Sequence, residues 1–298
     1  MRWTLWIAFV LLCVLSGTSW AIPREMSDGL PSLEQQGVLF GVIGLTGLLV
    51  SGRQVFCRSR LLEYLRLGAA AVGFFGVPIV VAEYARGSVP AISRSALFTL
   101  VPVVVVIAVA SGEWGGGEER GARLFLVPAL AGVGGLLLLL PLQFSSTARG
   151  WIMLAVVCAA VVLVGLASVG MYRSLRGVGF ATAIAIVGVA NAVFLLAWSA
   201  VREEMVWRVS GLASVVPIGS LADVVEVLLI TWLLREMLPI RFASRYLMIP
   251  LVTVLESYFV MRPEWAARMG FGTALLAAGG GMLLFLKTGE EETVLSLR

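Results

Sequence analysis

Histidine is absent from the 298 residues of this chain, lysine occurs once, at Lys287, and cysteine three times, at Cys13, Cys57 and Cys158. Without histidine there is no His-based catalytic triad and no imidazole ligand for zinc or haem. Three cysteines far apart in sequence build neither a disulfide framework nor a metal site. Charge is also scarce, at 13% of residues, where soluble domains carry about 25%. Hydrophobic residues fill the gap, at 59% with a mean hydropathy of +0.98. A chain of this size cannot bury so much apolar surface in a water-soluble core, so lipid is expected to cover the rest. The net charge of +4 comes almost wholly from arginines scattered in ones, twos and threes. That scatter suits membrane orientation and not nucleic acid, which needs a clustered basic patch. No cofactor-binding motif is found.

A bilayer core about 30 Å thick takes about 20 mostly apolar residues per helix. Ten such windows are expected, near 3–22, 36–51, 64–83, 93–111, 122–141, 150–170, 178–198, 211–233, 241–261 and 266–286. Polar residues in the first and fourth, and the short second, leave nine as the alternative count. The first window, MRWTLWIAFVLLCVLSGTSWA, also has the basic start, apolar run and small residue of a cleaved leader over 1–21. Cleavage would leave nine spans and break the two-fold pattern below, so the segment is read as span 1. With the N-terminus inside, fourteen basic residues face the cytoplasm and eight face outward. The positive-inside rule then puts both termini of a multi-pass protein in the cytoplasm, at the cytoplasmic (inner) membrane.

The two halves share punctuation. Pro90 precedes span 4, Pro102 lies in it, Gly112, Glu113 and Trp114 end it, and Gly134 and Gly135 follow Arg123 by eleven and twelve residues. Pro239 precedes span 9, Pro250 lies in it, Pro263, Glu264 and Trp265 end it, and Gly279 and Gly280 follow Arg268 at the same spacing. Five spans per half is an odd number, so the second half must be inverted in the membrane. Such repeats build two bundles that rock about a midplane site.

With its Gly-polar-polar step in span 1 (Gly17, Thr18, Ser19), prolines Pro102 and Pro250, glutamates Glu113 and Glu264, and glycine clusters in spans 5 and 10, the chain resembles the drug/metabolite transporter (DMT) superfamily, and within it the EamA-type members. The resemblance covers nearly the whole chain. It implies an all-α polytopic membrane protein of ten transmembrane helices in two inverted-topology five-helix repeats, residues 1–146 and 147–298. One departure stands out: where the family usually has tryptophan before the span 1 glycine, this chain has Ser16, with Trp20 a turn later.

Asp223 and Glu226 in span 8 and Glu256 in span 9 are the embedded acids. Asp223 falls about 18 Å into its window, near the midplane, where a charge usually faces a cavity and has a function. Asp223 and Glu226 are three residues apart on one helical face, so the pair is expected to share a proton. Asn191 in span 7, Arg94 near the outer end of span 4, and Thr18, Ser19 and Trp20 complete the candidate substrate or proton pathway. Their simpler roles are helix packing for Asn191, snorkelling for Arg94 and bonding to their own helix for Thr18 and Ser19. GEWGGGEERG lacks the Lys-Ser/Thr ending of a phosphate loop. Glu203 to Arg208 match a membrane-protease pattern that also needs histidine, and Asp223 is the only aspartate within a span, so no enzyme is expected.

The expected function is secondary transport of small metabolites, amino acids or amphipathic compounds by alternating access, with proton coupling as one option that the embedded acids offer. The alternative is a non-transporting scaffold or sensor subunit that keeps the fold. Substrate, direction and coupling ion are left open, as is a homodimer.

Overall fold

The computed structural model describes residues 3–18, 32–52, 60–111, 119–140, 142–143, 146–202, 218–261 and 266–286. Among these residues there are helices and no strand. In chain order they are α1 (Trp3–Gly17), α2 (Ser32–Ser51), α3 (Leu61–Ala71), a π-helical turn (Val72–Gly76), α4 (Val77–Ala85), α5 (Ala91–Phe98) and α6 (Val101–Ala110). There follow α7 (Glu119–Ala122), a 3-10 turn (Arg123–Phe125), α8 (Leu126–Leu139), α9 (Ala148–Arg176), α10 (Phe180–Val201), α11 (Ile218–Glu236), α12 (Pro239–Ala243), α13 (Arg245–Met261) and α14 (Ala267–Phe285). Helix occurs within every expected window. Among the described residues six stretches are long and apolar enough to cross a membrane: 32–51, 61–85, 91–110, 148–176, 180–201 and 267–285. Two shorter apolar ones cover 3–17 and 123–139. Large apolar side chains such as Trp3, Leu49, Val127 and Phe259 stand exposed on the helices, which in a chain this hydrophobic marks a membrane-embedded protein.

Three irregularities have local causes. Pro78 has no N–H for the carbonyl of Phe74, and just upstream the ladder widens, with the Val77 N–H reaching back to the Val72 carbonyl. Pro102 likewise withholds a donor from Phe98, and the window expected as one span breaks at Thr99 and Leu100, whose N–H groups close on Ala96 and Leu97 at 3.3 and 3.0 Å. Pro102 therefore sits in the first turn of α6, whereas Pro250 lies inside α13. The break beside α13 falls earlier, at Ser244.

The chain forms two compact units. One comprises residues 1–84 and 170–236, the other 85–169 and 237–298, so each draws helices from both expected halves. In the first unit, α2 and α10 run antiparallel and touch along small residues: Gly37 against Leu196, Gly44 against Gly188 and Val189, and Gly47 against Ala185. Phe40, Phe74 and Phe75 stack beside this contact, at centroid distances of 5.6 and 4.8 Å. In the second unit α8 and α14 make the corresponding antiparallel contact, with Gly132 on Gly279 and Gly135 on Gly272 and Leu276. Around it Phe125, Ala129, Val133, Leu136, Leu247 and Leu283 form the core. The glycines singled out by spacing are not equivalent: Gly279 is pressed on Gly132, while a side chain at Gly134 would meet open space.

These contacts make a stability prediction. A Cβ on Gly188 would collide with the Gly44 backbone, and one on Gly44 would stand 2.6 Å from the Val189 nitrogen. Backbone cannot yield as a side-chain tip does, so Gly44→Val or Gly188→Val is expected to cost about 1 to 3 kcal/mol, with a lower melting temperature in detergent. Gly134→Ala is expected to leave that temperature unchanged.

Candidate functional site

The first unit holds the acids of α11. Helix α1 turns Phe9, Leu12, Cys13 and Gly17 inward, at the three- and four-residue spacing of one helical face, and Ser16 shares that face. It packs on α11, whose buried positions Val227, Ile230, Leu233 and Leu234 repeat with the same spacing. At this contact the Ser16 hydroxyl donates a 2.7 Å hydrogen bond to Glu226 Oε1. Among the described residues that is the carboxyl's hydrogen bond, and none of them pairs a guanidinium or ammonium with it. Helices α1, α2 and α10, which pack against α11, contain no arginine or lysine. Asp223 lies half-buried one turn before Glu226.

Thr18 donates to the carbonyls of Val14 and Leu15 at 2.8 and 3.3 Å, capping its own helix. Asn191 is fully buried in α10 and its Nδ2 donates to the Val187 carbonyl, again in its own helix. Its Oδ1 takes no hydrogen bond among the described residues and faces Gly76 of the π-turn, where an added Cβ would stand 2.9 Å away. Gly17 is buried on the packed face of α1. Ser19, Trp20, Glu113 and Glu264 lie outside the described residues.

In the second unit Arg94 is half-buried in α5. Its neighbour Ser93 is the more constrained residue: its hydroxyl donates to the Gln143 carbonyl at 2.8 Å and accepts from the Gln143 N–H at 3.1 Å. Glu256 is half-buried in α13 and Pro102 is buried. Arg245 was counted in the sequence only as a cytoplasmic-side charge. The structure buries it at the start of α13, with its guanidinium over the rings of Phe242 and Tyr246 at 4.5 and 4.6 Å and Nη2 donating to the Tyr246 hydroxyl at 2.8 Å. The signal for it was the flanking aromatics, one turn before and one residue after. The signal for Ser16 was its register on the buried face of α1.

The described residues contain no cluster of three metal-ligating side chains. No family model matches the sequence, and no curated protein matches it. Among solved structures, a chain described as "Crystal structure of protein" is similar, with a TM-score of 0.69 and 18% identity over 100% of both chains. At that identity the likeness shows the fold alone.

The bare Asn191 oxygen makes a prediction. Truncation removes a buried acceptor that has no partner and a bond that only supplements the helix ladder, so Asn191→Ala is expected to cost less than about 1 kcal/mol. A loss above about 2 kcal/mol in thermal unfolding would mean that Oδ1 has an ordered partner such as water.

Proposed function

We propose that this protein is a ten-span secondary transporter built as two inverted five-helix repeats, residues 1–146 and 147–298, that moves small metabolites, amino acids or amphipathic compounds by alternating access with protons as coupling ion. The observation that carries the reading is Glu226: a half-buried carboxyl in a helix of apolar surroundings, held among the described residues by the Ser16 hydroxyl. Embedding a charge costs at least about 2.5 to 3.5 kcal/mol. An acid kept there with no cation among the described residues is suited to carrying a proton or meeting a substrate, with Asp223 one turn away on the same helix.

Helix geometry within each unit supports the inverted repeat. A two-fold axis in the membrane plane would set a helix antiparallel to its own repeat mate, and the α2–α10 and α8–α14 pairs are both antiparallel. They cross at Gly44 with Gly188 and Val189, 144 and 145 positions apart, and at Gly132 with Gly279, 147 apart. Arg123 and Arg268 of the sequence repeat are separated by 145. Helices α1, α8, α11 and α13 supply the spans beyond the six long apolar ones. Helix-end contacts also join positions that the arginine count puts on one side of the membrane: Arg60 with the Gly177 carbonyl at 2.9 Å, Ser32 with Glu83 at 2.8 Å, Trp198 with Tyr84 at 2.9 Å, and Arg268 with the Leu138 carbonyl at 2.5 Å. Both termini are then cytoplasmic, at the inner membrane, and the chain is not an enzyme.

Two experiments test this. Single cysteines at positions 113 and 264, in a background with the natural cysteines replaced, are expected to label from opposite sides, 113 from the cytoplasm and 264 from outside; labelling from one side would overturn the inverted repeat. In vesicles screened for uptake and efflux with and without a proton gradient, Glu226→Gln or Asp223→Asn is expected to lower proton-driven movement at least tenfold while the protein stays folded. Unchanged pH dependence in both variants would make the acids structural. No movement of any compound by the folded wild type would favour a scaffold or sensor subunit.

A further inference from the structure

Seven hydroxyl side chains on the helices turn back onto their own backbone. Thr46, Ser51, Thr231, Thr253 and Thr273 each donate to the carbonyl four residues earlier, at 2.7 to 3.1 Å. Ser168 and Ser257 donate three residues back, each at 2.7 Å. Ser16, like Ser32 toward Glu83 at the start of α2, gives its hydrogen to a carboxyl on another helix, here 210 residues away in sequence and within the packed α1–α11 contact. We propose that Ser16 is the positioning residue of the Glu226 carboxyl, and that its hydrogen bond reverses when Glu226 takes up a proton. The proposal rests on the reading of Glu226 as a proton site.

A serine hydroxyl is one donor and two acceptors. Toward the carboxylate, Oγ–H donates to Oε1, as observed. When a proton binds Glu226, the acid O–H becomes the donor and Oγ the acceptor. The serine hydrogen then swings to the Leu12 carbonyl four residues back, the back-bond that Thr18 already makes to Val14. No bond to carbon changes, one proton is gained from solvent or substrate, and α1 stays tied to α11 in both states. An alanine at position 16 satisfies neither state, and a cationic side chain would bond the anion alone.

Apart from Asp223, half-buried one turn before Glu226 on the same helix, the titratable groups of the described helices packed here stand away from this exchange. Titratable groups of the described α1, α2, α10 and α11 are Cys13, Glu34, Asp223, Glu226, Arg235 and Glu236. Arg235 and Glu236 sit at the far end of α11, nine and ten residues from Glu226 and about 14 Å along the axis, where they pair with each other at 3.8 Å. Cys13 is on the buried face of α1 one turn before Ser16, and Glu34 is in the first turn of α2. None of the four helices brings a second cation.

The test is infrared spectroscopy of the purified full chain in lipid vesicles, with Glu226→Gln used to assign the Glu226 bands. At high pH the carboxylate stretch, and at low pH the acid carbonyl stretch, are both expected to shift in Ser16→Ala, the acid band toward higher wavenumber. Ser16→Thr is expected to restore both. Should Ser16→Ala not fold, Ser16→Cys, of similar size and a weaker donor, is expected to shift both bands in the same directions. A shift confined to the carboxylate band makes Ser16 a donor only and overturns the reversal; no shift in either band overturns the positioning role. Neither spectrum needs transport. Vesicles that move nothing while both bands respond would refute the transporter and leave Ser16 in place.

Discussion

Two helix crossings at which backbone lies on backbone govern the rest of each unit. In lipid there is no hydrophobic drive between helices, since the tails are as apolar as leucine, and association comes from close packing and hydrogen bonds. Gly44 on Gly188 and Gly132 on Gly279 allow contact that no larger residue permits. Once α2 and α10 are locked at this distance, the face of α10 carrying Asn191 and Phe194 is fixed, and the π-turn must be glycine where it meets them. Gly76 meets that need: a Cβ there would stand 2.7 Å from the Phe194 ring. In the second unit the same closeness seats Leu247 against Gly132 and Met248 against Gly280, which positions the start of α13 and its buried Arg245.

Membrane character and helix placement were legible because they depend on composition and window length alone. The packed faces were less so. In a soluble helix polar residues mark the outer side, but here the lipid side is as apolar as the protein side, as exposed Leu49, Val127 and Phe259 attest. Hence Gly134, which faces open space, and Gly132, which touches Gly279, looked alike in sequence. Proline was visible as a disturbance and not as a shape: Pro102 restarts a helix, Pro250 rides inside one, and Pro78 goes with a widened turn upstream. Which outcome follows depends on what neighbouring helices offer the freed carbonyl, and that is tertiary information.

The candidate site shows the same division. Depth along a helix is a sequence quantity, so Asp223, Glu226 and Glu256 were found by counting. Partners are not. Ser16 drew notice only for departing from a family pattern, yet it holds the carboxyl. Arg245 counted in the sequence only toward the orientation of the chain, and it is buried, its guanidinium over two rings whose faces attract the cation and offset part of the cost of leaving water. Thr18 and Asn191, attractive as polar residues in apolar runs, spend their donors on their own helices.

A hydroxyl beside Glu226, in place of an arginine, sets the electrostatics of the carboxyl. A guanidinium in bidentate contact would hold the carboxyl as an anion and make removal of that anion by a proton or a ligand costly, since breaking a buried pair leaves an unmatched charge. Serine adds no charge. Among the described residues α1, α2 and α10, which pack on α11, likewise bring no arginine or lysine to that helix, so the neutral character of the Ser16 contact is shared by the described helices around it.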